Sequence, residues 1–154
     1  MNSKAPLGIR AFRIIAREIL AGKTIGRSLQ NLAFSQVTLS GQGVDLGAKS
    51  HASSYYRFLK LAPGTRIVYT DLRPETPEVL AVDLEKPLPL ADESQDFLIL
   101  SNVLEHIYGF DACIRETARV LKKSGRLIGS APFLYPIHND PIDYFRYSKD
   151  TLRR

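Results

Sequence analysis

At 154 residues, 44% hydrophobic and 24% charged, the sequence has the length and balance of one folded domain and not those of a disordered or fibrous chain. Cys113 is the only cysteine, which excludes an internal disulfide and a cysteine metal cluster and points to a reducing, cytoplasmic setting. The net charge of +5 lies wholly in residues 1–40, where Lys4, Arg10, Arg13, Arg17, Lys23 and Arg27 face Glu18 alone; the neutral remainder argues against a nucleic-acid groove built into the fold.

No apolar run approaches the roughly 20 residues of a membrane span, and the arginine-punctuated start lacks a signal-peptide core. Phe12, Ile15, Ala16, Ile19 and Leu20 recur at helical spacing with Arg10, Arg13 and Arg17 opposite, predicting a basic amphipathic helix that Gly22 ends. Ile25, Leu29 and Leu32 predict a second short helix. The plain expectation is that both pack on the core with solvated arginines; the sharper one is peripheral contact with an anionic membrane. Residues 1–40 thus form a basic helical segment beside a core domain of residues 41–154.

Val44-Asp45-Leu46-Gly47 reads as a buried strand that stops at a glycine, where backbone can approach a ligand. Ser53 or Ser54 then caps a helix through Tyr55, Tyr56, Phe58 and Leu59, stopped by Pro63-Gly64. Residues 66–70 predict a strand that delivers Asp71, and after a loop with two prolines residues 79–82 predict another that delivers Asp83. Phe97-Leu98-Ile99-Leu100 is a strand buried on both faces, followed by Ser101-Asn102. Asp111 caps a helix with the apolar stripe Ile114, Ala118, Val120 and Leu121, ending at Lys122-Lys123-Ser124-Gly125. Residues 126–131 are a fifth strand, 132–147 an ordered loop rich in proline and aromatics, and Ser148 opens a last helix.

Strands alternating with helices predict an α/β fold with a mostly parallel, Rossmann-like sheet of about five strands. Asp45, Asp71 and Asp83 then sit at strand ends on one edge of the sheet. Each alone also has a reading as a helix or turn cap; together they suit a ribose and a cationic group better than a phosphate.

These residues carry a resemblance. Residues 91–107, with Asn102-Val103-Leu104-Glu105-His106-Ile107, and residues 118–128 resemble class I S-adenosylmethionine-dependent methyltransferases of the type 11 group, in order from about Val44 to Arg154. The resemblance implies S-adenosylmethionine as cofactor. Asp45 and Gly47 would face its methionine part, Asp71 the ribose hydroxyls, and Asp83 with Leu84 the adenine; Asn102 and His106 would form the wall after the fourth strand. The family's Asp-x-Gly-x-Gly-x-Gly has Lys49 and His51 at its second and third glycine positions here, which implies a narrower cofactor loop. Family members continue into a final antiparallel pair of strands that this sequence lacks, so the expectation is a truncated form, a fragment, or completion by another chain, with an exposed sheet edge open to a second copy.

The 132–147 loop resembles that of methyltransferases in glycan and cell-surface polysaccharide pathways, where it lies over the acceptor. A small-molecule or saccharide acceptor and O-methylation follow as expectations. His138 would be the catalytic base, and Tyr135, Asp143, Tyr144 and Arg146 would hold the acceptor. No metal ligand is assigned. Two rivals stand beside this reading. A dinucleotide dehydrogenase would need its glycines after the strand, whereas Gly41 and Gly43 precede it. A non-catalytic methyltransferase-like module would use an open sheet edge or the basic helix to bind a partner.

Overall fold

The computed structural model of the protein describes residues 8–50, 52–139 and 142–153. Lys4, His51, Asp140, Pro141 and Arg154 lie outside the described residues, as does the side chain of Arg10. The chain divides into two compact units: a helical one of residues up to Thr38 together with Ser54–Lys60, and a sheet unit formed by Leu39–Ser53 and the chain from Leu61 on.

In the helical unit, α1 (Ile9–Leu20) ends where Gly22 takes a left-handed φ of +77°, and α2 (Ile25–Phe34) starts with the Thr24 hydroxyl accepting from Arg27 N at 3.2 Å. Its interior is polar. Glu18, 2% exposed, accepts from Asn31 Nδ2 at 2.6 Å and from Arg57 Nη2 at 3.1 Å; Asn31 Oδ1 in turn accepts from the Ser54 hydroxyl. A buried carboxylate needs such partners, and they draw its face of α1 inward. Most of the predicted apolar stripe therefore faces out: Phe12, Ile19 and Leu20 are exposed and Ile15 and Ala16 half-buried, with Ile9 exposed beside them. No described helix is long and apolar enough to cross a membrane.

The sheet unit holds five parallel strands in the order β5-β4-β2-β6-β7: β2 (Gln42–Asp45), β4 (Arg66–Asp71), β5 (Val79–Ala81), β6 (Gln95–Ser101) and β7 (Leu121–Ser130). Two short strands, β1 (Thr38–Leu39) and β3 (Lys60–Leu61), pair separately. The apolar run of β6 is sealed, Leu98 and Ile99 having no exposed surface. Gly43 lies opposite Phe97 in the register, and a Cβ there would stand 2.4 Å from its ring. β5 is joined to β4 without a helix. It pairs only with Tyr69–Asp71, so the chain has to step back about two residues, and residues 72–78 suffice.

Four local expectations are corrected. The helix predicted after Ser54 is a single 3-10 turn, Ser54–Arg57, because the chain must extend at once into β3. Asp111 does not cap α3 (Phe110–Val120): Gly109 holds the N-cap position, and Asp111 pairs instead with Arg115 one turn on. The buried face of α3 is Cys113, Thr117 and Val120, with Ile114 and Ala118 exposed. Thr117 can sit there because its hydroxyl is satisfied by Ile114 O at 2.8 Å. Since α3 stops at Val120, the Lys122–Gly125 stretch is a bulge in β7 and not a helix end.

The α3 face also carries a pH-sensitive clasp. Glu116 accepts from Arg119 Nη2 at 2.7 Å and from Leu88 N at 2.8 Å, which lowers its pKa from 4.5 to about 2. A carboxyl depressed on folding adds stability that is complete above its ordinary value and lost as pH falls towards the folded one. Glu116→Gln should therefore lower the melting temperature at pH 7, and the gap from the parent should close between about pH 4.5 and 2 in thermal scans.

Candidate functional site

The strand order reverses direction beside β2: β4 and β5 lie on one side, β6 and β7 on the other. Such a switch point opens a crevice at the carboxyl ends of the strands. Asp45 closes β2 there, 1% exposed. Leu46 N donates to Ile99 O, and the chain then turns at Gly47 with φ +80°. The Thr70 hydroxyl clamps this turn, donating to Asp45 O at 3.2 Å and accepting from Gly47 N at 3.3 Å. A Cβ on Gly47 would come within 2.7 Å of Val103 Cγ2, so conformation and space both require glycine. Lys49 makes an exposed pair with Glu75 at 3.5 Å.

Asp71 ends β4, its Oδ1 accepting from Arg73 N at 2.8 Å. Asp83 follows β5, and its pKa is lowered by Glu85 N–H and then by Lys86 at 3.1 Å. Leu84 is buried in the core with Val44, Leu46, Val82 and Leu98, as floor. Asn102, after β6, adopts a left-handed φ of +54°, which asparagine tolerates better than most residues. Its N–H donates to Ser130 O and its Oδ1 accepts from the Ser130 hydroxyl, tying the end of β6 to β7. All the residues expected on the cofactor side thus arise at the ends of β2, β4, β5 and β6. Carboxylates, a backbone free of side chain at Gly47 and an apolar floor are the donor set that a ribose diol, a sulfonium and an adenine require.

The acceptor-side residues come from the loop after β7. Arg146 makes a two-pronged ion pair with Asp143, one nitrogen at 2.6 Å, and also donates to the carbonyls of Tyr135, Pro136 and Phe145. That pairing holds the Asp143 carboxyl well below the usual range and raises Arg146. Both side chains therefore brace the loop. Tyr144 N donates to Glu105 O at 2.8 Å and the Tyr147 hydroxyl to Leu104 O at 3.1 Å, so the loop is sewn to the 3-10 turn Leu104–His106. Burial pushes the Tyr147 hydroxyl up to about 12. Tyr135 and Tyr144 keep nearly half their surfaces exposed.

His138 and His106 meet edge to face with ring centres 5.0 Å apart, so the histidine expected on the acceptor side and the one expected on the cofactor side converge. Asp143 Oδ2 lies 3.1 Å from His138 Nδ1. Between the two elements sits Glu105, which sequence reasoning left without a role. It has no exposed surface, neither carboxylate oxygen has a hydrogen-bond partner among the described residues, and burial raises its pKa. The signal was present: an acid one residue into the turn after a wholly buried strand, beside a histidine.

A family model described as "Methyltransferase domain" matches residues 26–129. None of the curated proteins matches the chain. Among solved structures, a chain from the complex of a methyltransferase activator with a methyltransferase of Haloferax volcanii is 20% identical, with a TM-score of 0.54 over 80% of this chain and 57% of that one. The YcgJ protein of Bacillus subtilis is 22% identical, with a TM-score of 0.51 over 75% and 52%. A protein of Pyrococcus horikoshii is 18% identical, with a TM-score of 0.51 over 82% and 63%. The chain spans between about half and two thirds of the length of these structures, and likeness at this identity shows the shared fold. With two thirds of its length under the family model and the strand-end site of that fold, the chain belongs to the class I S-adenosylmethionine-dependent methyltransferases, whose cofactor is S-adenosylmethionine.

Proposed function

We propose that the chain transfers a methyl group from S-adenosylmethionine to a hydroxyl oxygen of a small-molecule or saccharide acceptor in the cytoplasm. The observation that carries this reading is the convergence of His106 and His138, which joins the acidic strand-end edge to a braced aromatic loop. When bound, the cofactor supplies an electrophilic methyl on a cationic sulfur. Asp71 takes the ribose hydroxyls, Asp45 and Gly47 the methionine end, Asp83 and Leu84 the adenine, and Asn102 and His106 the wall beside the reacting methyl. Tyr135 and Tyr144 offer exposed ring faces of the kind that stack on sugars, while Asp143 and Arg146 keep the loop in place. His138, oriented by Asp143, receives the acceptor hydroxyl proton as the new O–C bond forms and the S–C bond breaks.

The test is thermal unfolding with S-adenosylhomocysteine, followed by transfer of labelled methyl from S-adenosylmethionine to a panel of sugars and small alcohols. A rise in melting temperature with saturable ligand dependence, and label on oxygen, is the expected result. No stabilisation at millimolar ligand would leave a non-catalytic, methyltransferase-like binding module.

A second reading concerns the helical unit. The outward stripe of Ile9, Phe12 and Leu20, with Arg13 and Arg17 exposed on the same helix, is the arrangement of an interfacial helix on an anionic surface. Phosphatidylserine liposomes at low salt should retain the chain and release it as salt is raised; Arg13→Glu with Arg17→Glu should abolish retention. Equal retention by neutral liposomes would remove the electrostatic part of this reading.

A further inference from the structure

The side chains that bring the two halves of the site together form a centre of their own. Glu105 is sealed, and among the described residues neither of its oxygens has a hydrogen-bond partner. A buried carboxylate left so is costly, and it is relieved by taking up a proton, by a paired cation or by a metal. What stands beside it is two imidazoles. His106 Nδ1 lies 2.7 Å from the carbonyl oxygen of Ile142, which can only accept. Nδ1 therefore carries a proton, and the other ring nitrogen, Nε2, lies 3.8 Å from Glu105 Oε1. His138 has Asp143 Oδ2 at 3.1 Å from its own Nδ1. One potential ligand atom from each of Glu105, His106 and His138 lies within 4.8 Å of the others.

We propose that Glu105, His106 and His138 bind a divalent first-row transition metal ion, with zinc(II) as the probe. Two imidazoles and one carboxylate are borderline donors suited to such ions, whereas calcium and magnesium favour all-oxygen shells. Bonds of about 2.0–2.1 Å at tetrahedral angles place ligand atoms about 3.4 Å apart, so an ion would draw the three groups together by roughly 1 Å. The outer partner of a metal-bound histidine is already present behind His106, a backbone carbonyl, and Asp143 Oδ2, which accepts from His138 N, lies 3.1 Å from His138 Nδ1. Arg146, the nearby cation, is held by Asp143 in a two-pronged pair. Three protein ligands leave one position open to water or to an oxygen donor. Since Glu105 and His106 belong to the turn after β6 and His138 to the loop after β7, the ion also fastens that loop. It takes up the lone pair that proton transfer needs, so His138 acts as a base in the metal-free protein. The site does not depend on methyl transfer.

The experiment is calorimetric titration of the chelator-treated full chain with zinc chloride, with cobalt(II) absorption as a second readout of the ligand field. One equivalent should bind at micromolar or tighter affinity and raise the melting temperature, and cobalt(II) should give visible bands of a low-coordinate site. Glu105→Gln, His106→Gln and His138→Gln should each weaken zinc at least about tenfold, and circular dichroism identifies any variant that fails to fold. Glu105→Gln nearly preserves shape and keeps the test valid if a histidine variant unfolds. Absence of saturable zinc binding overturns the proposal, as does equal affinity in all folded variants. Stabilisation by magnesium and not by zinc overturns the class of ion. S-adenosylhomocysteine binding, read on the same samples, shows separately whether the methyltransferase reading stands.

Discussion

Asp71→Ala should weaken S-adenosylhomocysteine by roughly 30- to 150-fold, about 2–3 kcal/mol, with little change in the melting temperature of the free protein. Asp71 is the last residue of β4 and one of its oxygens is engaged with Arg73 N, so it presents a fixed carboxylate at the switch point. Hydrogen bonds from neutral hydroxyls to a charged acceptor are worth about 1.5–3 kcal/mol each, and the shared Oδ1 keeps the total near a single full bond. Asp71→Asn retains the bond to Arg73 N through its carbonyl, so it isolates the effect of the charge. Calorimetry of the three proteins decides the matter: unchanged affinity in Asp71→Ala would put the ribose somewhere other than the end of β4.

Gly43→Ala should cost about 3 kcal/mol or more and leave the chain poorly folded. The added Cβ would stand 2.4 Å from two ring carbons of Phe97 and 2.5 Å from its backbone carbonyl oxygen. A ring can rotate; a carbonyl inside the ladder between β2 and β6 cannot, so the two central strands would have to part. Phe97→Leu in the same chain should recover only part of the loss, because the clash with the carbonyl persists. Total stabilities of about 5–15 kcal/mol make such a cost visible as a large drop in denaturant midpoint. A midpoint unchanged from the parent would mean that the strands pack less tightly than their register implies.

The sheet was legible because its information is local and repeated. Continuous apolar runs such as Phe97–Leu100, each ending at a polar residue, define buried parallel strands without reference to the rest of the chain. Turns and helix phase were harder to read. Thr117 looked polar and Ile114 apolar, yet the threonine is buried, since a hydroxyl bonded to its own helix costs little. The outward stripe of α1 could not be foreseen from hydrophobicity, because Glu18 is drawn inward by Asn31 and Arg57, which lie 13 and 39 residues away. The role of Glu105 depends in the same way on a loop more than 30 residues later, and spacing alone gives no sign that the two meet.

The short connection between β4 and β5 has a consequence in time. β5 is only three residues long and is held on one side, by the last residues of β4. An edge element with so few bonds opens locally at a free energy far below that of global unfolding, so the backbone amides of Val79, Leu80 and Ala81 should exchange with solvent deuterium well before those of β6. Asp71 and Asp83 flank this segment in the chain. A nucleoside bound to both would penalise each opening by its own binding free energy, so slowed exchange across residues 79–83 would record occupancy residue by residue, without a substrate and without turnover.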